Sequence, residues 1–142
     1  MVAHTKKINI AKEQLEDGID LFLEKRYISS LTLLGAASEI FSNLYYEKHG
    51  VHPLDLEWER ANRIRSILGH PHISKSQLKR INNSAKNKIK HHDVGDPDRM
   101  YINRFGEAFM MLQIAAGTGE ALGVKYKNKS QYKRWFNDNF GT

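Results

Sequence analysis

Apolar residues recur every three or four positions along nearly the whole chain, the period of an α-helix, and no run alternates as a strand would. The spacing predicts a first helix from Ile10 to Lys25, with Leu15, Ile19, Phe22 and Leu23 on one face. A second, from Tyr27 to His49, carries Leu31, Leu34, Ser38, Phe41 and Tyr45 beside a parallel stripe of Leu33, Ala37, Ile40 and Leu44. So wide an apolar surface requires burial on more than one side. Within it, Gly35-Ala36-Ala37-Ser38 invites the close approach of a neighbouring helix. Gly50 suits the C-terminal cap, and Pro53 the first turn of a third helix, where a missing N–H costs nothing. That helix presents Leu54, Trp58, Ala61, Ile64 and Leu68, and ends near Gly69-His70-Pro71. Ser74-x-x-Gln77 is a capping box that starts a fourth helix with the core stripe Leu78, Ile81, Ala85 and Ile89, broken only at Val94-Gly95-Asp96-Pro97. Asp96 before Pro97 is expected to cap a long fifth helix, Pro97 to Leu122, with Tyr101, Phe105, Ala108, Leu112, Ala115 and Leu122 inward. Ser130 then opens a last helix carrying Tyr132, Trp135, Phe136 and Phe140. The expected fold is all-α, an up-and-down bundle of five to six helices, because short connections favour antiparallel neighbours.

A chain of 142 residues, 40% of them apolar, fits one domain with its own core, residues 1–9 being expected to form a tail. Without cysteine there can be no disulfide, thiolate metal site or cysteine nucleophile. The opening Met1-Val2-Ala3-His4-Thr5-Lys6-Lys7 has no signal-peptide core, and the most apolar stretch, Ala108 to Ala116, is too short for a membrane. A cytoplasmic protein with no membrane partner is expected. The net charge of +6 is unevenly spread: from Ala11 to Glu59 acids outnumber bases ten to four, yet Ser74 to His92 holds six bases and no acid. Lys125 to Arg134 holds five more bases, again with no acid. Such stretches either attract polyanions, nucleic acid first among them, or serve as solvated faces.

Candidate chemistry lies on the basic fourth helix, in Lys86-Asn87-Lys88-Ile89-Lys90-His91-His92. At about 100° per residue, Asn83, Asn87, Lys90 and His91 fall opposite the apolar stripe, and Asn87 and His91, four apart, are neighbours. Imidazole suits a general base near neutral pH. Lysines alongside could hold a phosphate, so Lys79, Arg80, Asn83 and Lys90 are expected to contact nucleic acid. His92 points instead along the apolar stripe, as a core or helix-end residue. The clusters His49/His52, His70/His72 and His91/His92/Asp93 lack the His-Glu-x-x-His or Glu-x-x-His pattern of helical metal sites. No metal and no cofactor is expected. The run from Lys125 to Phe136 interleaves bases with aromatics, as single-strand binding surfaces do. Its Tyr132, Trp135, Phe136 and Phe140, at helical spacing, equally suit docking on the bundle. Gly117-x-Gly119-x-x-x-Gly123 follows no strand, so it is not a dinucleotide fingerprint.

Lys86-Asn87-x-x-x-His91 resembles the Arg-x(4–6)-His signature of the HEPN superfamily, and Ala36-Ala37-Ser38-Glu39-Ile40-Phe41 is similar to its acid-bearing helix of small residues. Leu21 to Gly50 and Lys86 to Asp93 carry the resemblance. It implies a helical bundle that commonly dimerises, bringing two motifs together in a basic cleft. Many members are metal-independent endoribonucleases of toxin or antiviral type, and others are inactive binding or scaffold domains. By this resemblance His91 would be general acid/base on a ribose 2′-hydroxyl, and Lys86 would stand on the phosphate. Asn87 would orient substrate or histidine, and Glu39 would hold either partner. Two departures matter. Lysine lacks arginine's planar two-point contact with phosphate, and five residues of straight helix turn Lys86 about 140° from His91. A shared site therefore needs a bent helix end or a second subunit. Arg65-x(4)-His70 meets the same spacing, but on what reads as a helix terminus. The alternative function is a non-catalytic protein-interaction or dimerisation bundle.

Overall fold

The computed structural model describes residues 1–141, the side chain of Asn82 excepted, and among them it is an all-helical bundle of six helices. They are α1 (Lys7–Leu23), α2 (Tyr27–His49), α3 (Leu54–Ile67), α4 (Lys75–Lys88), α5 (Arg104–Ala121) and α6 (Lys129–Phe140). None is long and apolar enough to cross a membrane. The helix α1 begins inside the segment expected to be a tail, because Ile8 finds core to pack against. It pairs with α2 as a hairpin through residues 24–26. The close approach is made at Gly18, where a Cβ would come 2.7 Å from the Leu34 side chain. There the Ser30 hydroxyl donates to the Gly18 carbonyl at 2.7 Å.

The central element is α5, which packs on α2, α3 and α1. Phe109, Leu112 and Ala115 on it are fully buried with Leu15, Ile19, Leu31, Leu34 and Phe41. Burying the leucine, isoleucine and phenylalanine side chains stabilises by roughly 1.5–3 kcal/mol each. The C-terminal aromatics dock on this core. Trp135 meets Phe22 edge-on at 4.9 Å between ring centroids, and Phe140 stacks on Phe109 at 5.2 Å. The stretch before α6 is tied to α1 by Asn128, whose side-chain amide donates to the Glu16 carbonyl and to Asp20 Oδ1, each at 2.8 Å. Of the two expectations for this aromatic run, docking is the one the fold adopts. The small residues at Gly117 and Gly119 also have structural partners, the Arg60 guanidinium and the Phe41 ring.

Two further boundaries differ from the sequence expectation. The fifth helix starts at Arg104, not Pro97: Asn103 is its N-cap, with Oδ1 accepting from the Gly106 N–H at 2.9 Å. Asp96 instead accepts the Asp93 N–H at 2.9 Å and closes a turn. Both residues can cap, but the first side chain with core to bury is Phe105. Tyr101, expected inward, is fully exposed. The fourth helix stops at Lys88, with Ile89 as its C-cap, so His91 and His92 lie beyond it and are exposed. Past Ile89 the chain offers Lys90, His91, His92 and Asp93, none with apolar surface to hold a further turn on the bundle. His92 is thus neither a core nor a helix residue.

Candidate functional site

What positions α4 is a clamp on the connection before it. Asn62, buried on α3, accepts the Ile73 N–H at 2.9 Å and donates to the Ile73 carbonyl at 3.2 Å. The Trp58 indole N–H reaches the same carbonyl at 2.6 Å. The next residue, Ser74, forms the expected capping box with Gln77. So anchored, α4 lays Leu78 and Ile81 on α3 and α5. Its flank, Lys79, Asn83 and Lys86 at successive helical turns, faces a cleft toward α2.

The cleft has a volume of about 450 Å³, within the range of roughly 300–1,000 Å³ usual for small-molecule sites. From α2 it takes Ser38, Glu39, Ser42 and Asn43, two pairs one turn apart. His52, just before α3, and Glu57 on α3 complete its polar wall. Lys86 crosses this space with its stem buried, only 9% of the side chain exposed, and its ammonium 2.5 Å from Glu39 Oε1. Gly35 leaves room for that stem, since even an added Cβ there would sit 3.5 Å from Lys86 Cδ. Glu39 itself is 55% exposed. The Lys86 hydrogen bond, together with the charges of Lys86 and Lys90, holds its carboxyl below the usual range against a smaller desolvation effect.

Glu57 is the opposite case. Only 5% exposed, it accepts the Ser42 hydroxyl at 2.9 Å, its one hydrogen bond among the described residues. Burial pushes its carboxyl above the ordinary range, and the Ser42 bond and the charges of His52 and Lys86 pull only partly back. Two carboxylates with opposite shifts thus share one cleft with a buried lysine.

The sequence-nominated residues divide accordingly. Glu39, Lys86, Lys79 and Asn83 converge on the cleft, and Lys90 acts on Glu39 through its charge. Asn87 and Arg80 are exposed on α4 and line none of this cleft, and His91 lies past the helix end, apart from Lys86. Arg65, of the second Arg-x(4)-His spacing, donates to the Pro71 carbonyl at 2.8 Å and so serves the turn after α3. Ser42, His52 and Glu57 were not anticipated. For Glu57 a signal existed, since it falls three residues after Leu54 and four before Ala61, on the apolar stripe of α3. Among the described residues no three of histidine, aspartate or glutamate converge as metal ligands would. Comparison with family models, with curated proteins and with solved structures found no match to this chain.

Proposed function

We propose that the chain is a HEPN-like helical bundle that binds RNA or a nucleotide, with a phosphate held in the cleft between α2, α3 and α4. The observation that carries this reading is the pairing of Lys86 with Glu39. These are the residues that the resemblance nominates for phosphate and for its acidic partner, and they meet across 47 positions of sequence. Lys79 and Asn83, one and two turns away on the same flank, extend the donor surface. A phosphate entering the cleft would compete with Glu39 for the ammonium, and the half-exposed Glu39 can turn to water when displaced. Binding is favoured over cleavage, because His91 lies beyond the end of α4 and is not among the residues lining the cleft.

The test is titration of purified protein with a short structured RNA at increasing salt. Phosphate-driven binding weakens linearly on a log–log plot, and Lys86→Met and Lys79→Ala each lower the affinity and flatten the slope by about one counterion. No affinity at low salt, or affinity indifferent to salt and to both substitutions, would remove this reading. The alternative, a protein-interaction bundle, draws on Met100 and Tyr101, exposed beside the groove between α4 and α5. It predicts self-association or partner binding that leaves RNA free.

A further inference from the structure

We infer that Glu57 reads a nucleobase in this cleft and that the base it prefers is guanine, an inference that rests on the nucleotide-binding reading above. The cleft holds two kinds of polar group. Lys79 and Lys86 supply cationic donors suited to phosphate. Glu57, a residue only 5% exposed, lines the same cleft and its carboxyl accepts one hydrogen bond among the described residues, from Ser42. A carboxylate accepts about four hydrogen bonds and donates none, so this one keeps acceptor capacity that a ligand entering the cleft can use.

Among the described residues no cation is bonded to Glu57. Ser42 on α2 is its hydrogen-bond partner, while His52 and Lys86 act on it only through charge. Lys86 is bonded to Glu39 instead. The ligand group that fits is therefore one with adjacent N–H donors. Among the natural bases only guanine carries two neighbouring donors, N1–H and the 2-amino group, on its pairing edge. Adenine and cytosine set their amino donor beside a ring acceptor, and uracil flanks its N–H with two carbonyls. Each of those would point a lone pair at an ionised carboxylate.

The experiment measures binding of the four 5′-mononucleotides to the full chain, by calorimetry or amide shift perturbation, at neutral pH and low salt. Expected is a preference for GMP of about tenfold or more over UMP, the discrimination a two-point base contact supplies. Glu57→Gln turns one acceptor into a donor and should abolish that preference, bringing the ratio of GMP to UMP affinity close to one. Lys86→Met should weaken all four alike. Equal affinity for the four nucleotides, or a GMP preference that survives Glu57→Gln, overturns the guanine inference and leaves the RNA reading standing. Absence of mononucleotide binding with salt-sensitive RNA binding retained does the same. Absence of both overturns the two together.

Discussion

Lys86 and Glu39 form an asymmetric pair, and the asymmetry decides which substitution hurts. Removing Glu39 leaves a largely buried ammonium without its partner, whereas removing Lys86 leaves a half-exposed carboxylate that water can solvate. Glu39→Ala is therefore expected to destabilise by about 1–3 kcal/mol, and Lys86→Met, which keeps the buried stem, by about 1 kcal/mol or less. Urea denaturation of the two variants checks the order, and a costlier Lys86→Met would mean that the pair is held by something other than burial. The two carboxylates also respond oppositely to pH. With its pKa lowered in the folded state, Glu39 contributes stability above its ordinary titration range, lost as pH falls through the lowered value. With its pKa raised, Glu57 contributes stability that is full below 4.5 and lost as pH rises through the raised value. Glu57→Gln, which can keep accepting from Ser42, should therefore raise the melting temperature at pH 7.5, by a few degrees for a gain of about 1 kcal/mol. The gain should shrink toward zero at pH 4, where the native Glu57 is itself protonated. A stabilising substitution at a residue that lines a cleft is the usual mark of a side chain kept for binding rather than for folding.

At the scale of elements, the glycines show how close contact and helix propensity compete. Alanine is favoured over glycine inside a helix by about 1 kcal/mol, while overpacking a tight core costs about 1–3 kcal/mol. At Gly18 an added Cβ would stand 2.7 Å from Leu34, which is fully buried and cannot yield, so Gly18→Ala should destabilise the α1–α2 hairpin. At Gly35 the nearest atom is Lys86 Cδ at 3.5 Å, ordinary contact, so Gly35→Ala should be neutral or stabilising by up to about 1 kcal/mol. Thermal melts of both variants distinguish the two cases, and a destabilising Gly35→Ala would mean that Lys86 packs more tightly on α2 than that spacing allows. The helices themselves were largely legible, because the stripes of α2, α3 and α5 are sustained and Ser74-x-x-Gln77 and Gly50 punctuate them. The start of α5 was not, since Asp96 and Asn103 are both competent caps and only the position of Phe105 against the core selects between them. The end of α4 was not legible for a related reason: a basic run continues the helical pattern in sequence but has nothing to pack on. Half of the cleft was legible, through the resemblance at Glu39 and Lys86. Ser42, His52 and Glu57 come from the other wall and are joined to these only by tertiary packing. Even so, an acid on the α3 stripe could have been asked for its partner.

At the scale of the whole molecule, the question is whether one chain holds a complete site. The cleft gathers cationic and acceptor groups, but the histidine nominated for acid/base chemistry is exposed beyond the end of α4, on the irregular stretch that leads to Asn103. His52 lines the cleft yet was not part of the family-like motif. General acid/base work requires the histidine within hydrogen-bond reach of the proton it moves, and His91 is not among the residues that line the cleft of its own chain. A second copy could supply it, because a two-fold contact can place an exposed group of one chain beside the cleft of the other, twice over. The expectation is specific. With structured RNA in EDTA, dilute monomeric protein leaves the substrate intact. Should cleavage emerge, it emerges only at concentrations where sedimentation shows a dimer, and both His91→Ala and Lys86→Met abolish it when assayed alone. Mixing those two variants then restores activity, because a mixed dimer contains one site with both native residues, and random pairing forms that dimer in about half of the population. Activity that is linear in protein at low concentration, or that survives His91→Ala, would place the chemistry within one chain and make His52 the histidine to replace next.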